Sequence, residues 1–165
     1  MSALIRARRL TVLPVLVALL ATTLVATTWL TAPSADAATK REKKIHRAIQ
    51  IARNQIGDPY SYGAEGPHAF DCSGLTSFAY KKAGLYLPRS SGAQYRFLRG
   101  IKKRNMHRGD LMAFHSGGNV YHVGLFVGWR DGRRLVLHAP NSGSRVHVQR
   151  TWTGKWWAAT ARARN

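Results

Sequence analysis

Phe70-Asp71-Cys72-Ser73-Gly74-Leu75 holds the one cysteine among 165 residues, at the point where the sequence changes from loop to helix. Upstream, Gly57-Asp58-Pro59-Tyr60, Gly63, Gly66 and Pro67 break regular structure. Downstream, Leu75, Phe78, Ala79 and Lys82 recur at helical spacing between Ser73 and Ala83. Cys72 is therefore predicted in the first turn of a helix, where unpaired N–H groups and the positive end of the helix dipole favour a thiolate and a developing oxyanion. Acyl transfer to sulfur needs both, and on this reading the thiol pKa is depressed. The alternative is a small buried hydrophobe.

Working outward, Arg6, Arg8 and Arg9 precede an apolar run from Leu10 to Leu30, and Ala35-Asp36-Ala37 follows as a small-x-small site. Residues 1–37 read as a signal peptide, with an uncleaved anchor as the rival. Residues 38–165 are then one domain, secreted or wall-associated, with no membrane span after cleavage. They retain 23 of the 26 Lys and Arg but 6 of the 7 acids, a net charge near +17 that is spread along the chain. Such a field attracts anionic wall polymers, anionic lipids or stray nucleic acid, and names a neighbour rather than a reaction. A single cysteine cannot form an internal disulfide, so its presence in an exported chain favours chemical use.

Ala38–Lys44 reads as a flexible lead-in. Ile45, Ala48, Ile49, Ala52 and Ile56 form the stripe of an amphipathic helix that Gly57 ends, and Ser90 is placed to cap a short helix through Leu98. From Asp110 the period changes. Leu111–Phe114, Val123–Val127, Arg134–Leu137, Val146–Val148 and Trp156–Ala159 are strand-like, several separated by turn signals at Gly117-Gly118-Asn119, Asp131-Gly132 and Asn141-Ser142-Gly143. Helices followed by strands predict an α+β fold, with the early helices packed on an antiparallel sheet of about five strands.

A cysteine nucleophile needs a base and a group to orient it. His122 opens one predicted strand and His138 closes the next, so an antiparallel hairpin brings them to one edge. His46, His68, His107, His115 and His147 are read as surface residues, with His147 facing solvent. No histidine pair lies at i,i+4 on a helix and there is no second cysteine, so neither a metal nor a cofactor is expected. Asp71 is either the N-cap of the helix or a partner for a substrate ammonium. Trp152, Trp156 and Trp157 read as core aromatics, or as a basic stacking surface with the neighbouring Arg and Lys.

With Leu87-Pro88-Arg89-Ser90-Ser91, Gly109-Asp110-Leu111, His122-Val123-Gly124 and Leu137-His138-Ala139 added, the chain from about Lys44 to Trp157 resembles the NlpC-type cell-wall peptidases, papain-like cysteine enzymes. It departs from their pattern at Tyr62, Ala64 and Arg108, none of them in the Cys-His-His set. The resemblance implies that Cys72 attacks, His122 is the base and His138 orients it. It also implies that Tyr60, Asp71, Ser73, Arg89 and Ser90 bind substrate, and that a monomer cuts the γ-D-glutamyl to diamino acid amide of the peptidoglycan stem peptide. The rivals are a catalytically idle basic wall-binding protein and an extracytoplasmic nucleic-acid binder, although no specific nucleic-acid partner is expected.

Overall fold

Apolar residues at alternate positions from Leu111 onward bury both faces of a sheet, and the helices before it cover one of them. The computed structural model describes residues 35–162. The expected leader with its apolar run Leu10–Leu30 lies outside the described residues, apart from Ala35-Asp36-Ala37 at the start of the first helix. Among the described residues, no helix is long and apolar enough to cross a membrane.

Helix α1 (Ala35–Arg53) buries Ile45, Ala48, Ile49 and Ala52 as one stripe. The expected lead-in Ala38–Lys44 is helical. Asp36 and Lys40 pair at i,i+4, Lys44 Nζ donates to the Gly84 carbonyl at 3.0 Å, and Glu42 meets Arg162 at 2.6 Å, so the segment has local and long-range partners. Ile56, expected in the stripe, lies beyond the helix end and is 48% exposed. Helix α2 (Cys72–Lys82) packs against α1, and α3 (Ser91–Phe97) follows.

The sheet has six strands rather than about five. They are β1 (Arg99–Ile101), β2 (Leu111–Ser116), β3 (Asn119–Arg130), β4 (Arg133–His138), β5 (His147–Arg150) and β6 (Trp156–Thr160), antiparallel in the order β1-β6-β2-β3-β4-β5. The unforeseen β1 is a three-residue edge strand, Arg-Gly-Ile, too short to show alternation. Leu111, Ala113, Val123, Leu125, Val127, Leu137 and Ala159 face the helices and share a core with Ile45, Leu75 and Tyr80. The opposite face carries a second core of Met112, Phe114, Phe126, Val136, Trp156 and Ala158. His122 and His138 fall at alternate positions with this second set, so the imidazoles lie on the face away from the helices.

The Gly-Pro loop before Cys72 is irregular but tied. Gly57 N–H donates to the Val146 carbonyl, Tyr60 N–H to Ser144 and Phe70 N–H to Pro59, at 2.9, 2.9 and 3.1 Å. Those bonds bring Tyr60 and the start of α2 beside the β4–β5 connection. At the other end of the sheet, Asp110 is 1% exposed, and its carboxylate accepts from Thr160 Oγ1, His107 N–H and Arg162.

Candidate active site

Asp71 is the N-cap of α2, its Oδ1 accepting from Gly74 N–H at 2.7 Å. The same carboxylate takes a two-pronged contact from Arg89, Nη1 to Oδ1 at 3.0 Å and Nη2 to Oδ2 at 2.6 Å. Ser73 Oγ donates to Asp71 and accepts from Arg89, whose Nε pairs with Glu65 at 2.9 Å. Burial pushes the Asp71 carboxyl up, but the Arg89 guanidinium, the Gly74 N–H and Ser73 together outweigh it and hold the group below its ordinary range. The polar atoms of Asp71, Ser73 and Arg89 thus satisfy one another and lock the turn that carries Cys72. A Cβ at Gly74 would lie 2.0 Å from the Ala64 carbonyl oxygen, which is why the helix opens Cys-Ser-Gly.

On the sheet, His122 Nε2 and His138 Nδ1 are 2.8 Å apart. Leu125 pairs with Leu137, so His138 stands across from Gly124 and diagonal to His122. Glycine makes room: a Cβ at position 124 would sit 2.4 Å from Val136 Cγ2 and 3.0 Å from His138 Cβ. The pairing uses Nε2 of His122 and leaves Nδ1 as the nitrogen available to a thiol. For Nδ1 to act as a base, Nε2–H must donate to His138 Nδ1, and the His138 proton then resides on Nε2, a buried atom without a partner among the described residues.

Cys72, His122 and His138 line one cavity of about 570 Å³ with Tyr60, His147 and Trp152. Burial pushes the Cys72 thiol up from its ordinary value; the backbone N–H of Val123 opposes this, the Asp71 charge adds to it, and Ser73 opposes it. This corrects the expected depressed thiol: desolvation at a half-buried helix start outweighs the donors around the sulfur. Burial likewise pushes His122 down to about 4, against the attraction of Asp71. Burial together with the charges of His122 and His147 pushes His138 down to about 3. At neutral pH the resting site is a thiol beside two neutral imidazoles. Burial, then the proximity of Cys72 and Asp71, raises the Tyr60 phenol above its usual range, so it remains a donor.

Ser90 occupies the N-cap position of α3, but its side chain makes no capping bond and is exposed. His147 is not the solvent-facing residue expected. It pairs directly with His138 across β4 and β5, is half-buried, and packs edge-on against that ring at 5.1 Å. His115 stacks on Trp157 at 3.9 Å. Sequence reasoning missed Trp152 as a wall of the site. From the β5–β6 loop it stacks on Phe114 at 4.2 Å and on His138 at 5.4 Å, and stands edge-on to His122 at 5.8 Å. Its signal, a Trp in a Thr-Trp-Thr-Gly turn, does not reveal which face the loop folds over.

A thiol at a helix start and a hydrogen-bonded imidazole pair on the adjoining sheet are groups of the kind that acyl transfer to sulfur requires. The NlpC/P60 family profile matches residues 57–165, and the chain belongs to that family. A probable endopeptidase of Corynebacterium glutamicum is 42% identical over 114 residues, 68% of this chain and 51% of the relative, so the chain spans about half of that protein's length. Among solved structures, the peptidoglycan hydrolase RipB of Mycobacterium tuberculosis superposes with a TM-score of 0.65 at 28% identity, over 76% of this chain and 68% of that one. RipD of the same organism, a non-catalytic NlpC/p60 domain protein adapted to peptidoglycan binding, gives 0.60 at 28%, over 72% and 97%.

Proposed function

We propose that the chain is an exported cysteine endopeptidase of peptidoglycan, cutting the amide between the γ-carboxyl of D-glutamate and the diamino acid of the stem peptide. The observation that carries this reading is the 2.8 Å His122–His138 contact in a cavity that also holds Cys72. As the thiol attacks the carbonyl carbon, its proton passes to His122 Nδ1, so the thiolate forms only in the act of bonding. The N–H groups at the α2 N-terminus and the Tyr60 phenol are the donors for the tetrahedral oxyanion. His122 returns the proton to the departing amine, leaving a Cys72 thioester. Water, deprotonated by His122, then releases the γ-glutamyl carboxylate and regenerates the thiol.

In this reading His138 fixes the His122 tautomer. Asp71, Ser73 and Arg89 serve substrate by holding the α2 start, Tyr60 touches it, and Ser90 contributes from the α3 cap. Residues 1–37 are the leader and residues 38–165 the working domain, a monomer drawn to the wall by its charge. Wild-type protein is expected to release stem-peptide fragments from purified sacculi, and Cys72→Ala to bind the wall without release. Equal release by the two proteins contradicts the proposal, and binding without release by both assigns the chain to a wall-binding role like that of RipD.

A further inference from the structure

The face of the sheet away from the helices ends in a cluster of cations stacked on tryptophans. Lys103 Nζ lies 4.2 Å over the Trp156 ring; Arg134 lies 5.2 Å over the same ring and 4.2 Å over Trp129. Arg134 Nη2 donates to the Lys103 carbonyl at 3.0 Å, and Arg134 Nε is buried without a hydrogen-bond partner among the described residues. In the same hairpin Arg130 stands directly opposite Arg133, on the other face of the sheet from Arg134. Like charges at opposed positions, and two cations on one indole, each raise the free energy of the protein alone. The Lys103 ammonium is correspondingly pushed below its usual range by burial and then by Arg134.

Among the described residues, no carboxylate forms an ion pair with Lys103 or Arg134. Six of the seven acidic residues form ion pairs with other cations: Asp36 with Lys40, Glu42 and Asp110 with Arg162, Glu65 and Asp71 with Arg89, and Asp131, in the β3–β4 turn, with Arg150. Asp58 sits in the loop bonded to Val146. Lys103 Nζ donates to the Gly154 carbonyl at 2.7 Å, a neutral partner that leaves the cationic charge of the pair unbalanced.

We propose that Lys103 and Arg134 form a docking site for a phosphodiester polymer of the cell wall. The identity of the polymer rests on the peptidoglycan reading above, whereas the site itself does not. Nucleic acid is disfavoured because base binding needs free aromatic faces. Trp156 is 4% exposed beneath Lys103 and Arg134, and Arg134 covers one face of Trp129. Trp129 is 56% exposed, so the surface offers charge with a single indole face rather than the row of platforms that successive bases need, which suits a backbone of phosphates carrying no bases. Arg134 is four residues along β4 from His138, about 13 Å at ~3.3 Å per residue, so a docked polymer lies beside the cavity and not in it.

The test measures binding of the full chain to poly(glycerol phosphate) at about 0.1 M salt, where screening extends ~10 Å. Lys103→Gln with Arg134→Gln should weaken binding by roughly tenfold or more, while Lys81→Gln with Lys82→Gln, an equal charge change on α2, should alter it less than about twofold. Equal weakening by both pairs overturns a localised site. If the first pair fails to fold, by circular dichroism, Lys103→Gln alone decides: a loss of about threefold supports the site and no loss overturns it. Tighter binding of oligo-dT than of poly(glycerol phosphate), lost in the same variant, overturns the choice of polymer. Hydrolysis of a soluble stem peptide is run in parallel and should not change in these variants. Its absence in every protein, including wild type, would refute the endopeptidase reading while leaving the docking result to stand or fall separately.

Discussion

Cys72 and Gly124 show how single atoms set the chemistry. Because burial raises the thiol and lowers both imidazoles, the site does not rest as a thiolate-imidazolium pair. Iodoacetamide labelling of Cys72 should accordingly be slow near neutrality and rise into the alkaline range, above the ~8.5 of a free thiol. A labelling midpoint near or below 7 would show that the site stores the thiolate after all. Gly124→Ala should displace Val136 and His138, since the added carbon would lie within 3.0 Å of both. The expected cost is about 1–3 kcal/mol in stability with a fall in kcat of roughly 10- to 100-fold, read from thermal melts and soluble-peptide turnover. Unchanged kcat would mean that His138 need not keep its place. That Cys72, His122 and His138 share one cavity was expected from their places at a helix start and at two strand ends, and the His-Val-Gly motif flagged Gly124. Its reason, clearance for an imidazole on the next strand, appears only once the register is known.

At the scale of elements, α2 was legible because Asp71 stands as a cap at a loop-to-helix junction, directly before Cys72. The five longer strands were legible for a similar reason: their short apolar runs and the turn residues between them agree. What failed depends on distant partners. The helical Ala38–Lys44 segment is tied to Gly84 and Arg162, and β1 exists because β6 offers it an edge. Arg162 anchors this arrangement, bonding Glu42 on α1, the buried Asp110 carboxylate and the Arg108 carbonyl. Arg162→Ala should leave Asp110 as an uncompensated buried charge and cost about 3–5 kcal/mol, measured by denaturant unfolding. Catalysis at temperatures well below the melt should persist, because the anchor lies at the far end of β2. A loss under 1 kcal/mol would show that Thr160 and the His107 N–H alone suffice.

For the whole molecule, the buried neutral imidazoles couple stability to pH. The unfolded chain binds protons at His122 and His138 from about pH 6.5 downward, whereas the folded chain does so only near 4 and 3. The unfolded state then holds more protons in between, so stability should fall as pH drops from about 6.5. The thermal midpoint should decline more between pH 7 and 5 in wild type than in a His122→Gln, His138→Gln variant, and equal slopes would remove the imidazoles as the cause. The net charge of +19 was plain in the composition, but its concentration at Lys103 and Arg134 needed the fold. The central claim, a Cys72 endopeptidase working through His122, is tested most directly by mass spectrometry of a defined soluble stem peptide after incubation. Wild type should yield two products split between the γ-carboxyl of D-glutamate and the diamino acid, with Cys72→Ala and His122→Ala yielding none. Cleavage at another bond, or the same products from Cys72→Ala, would contradict the account.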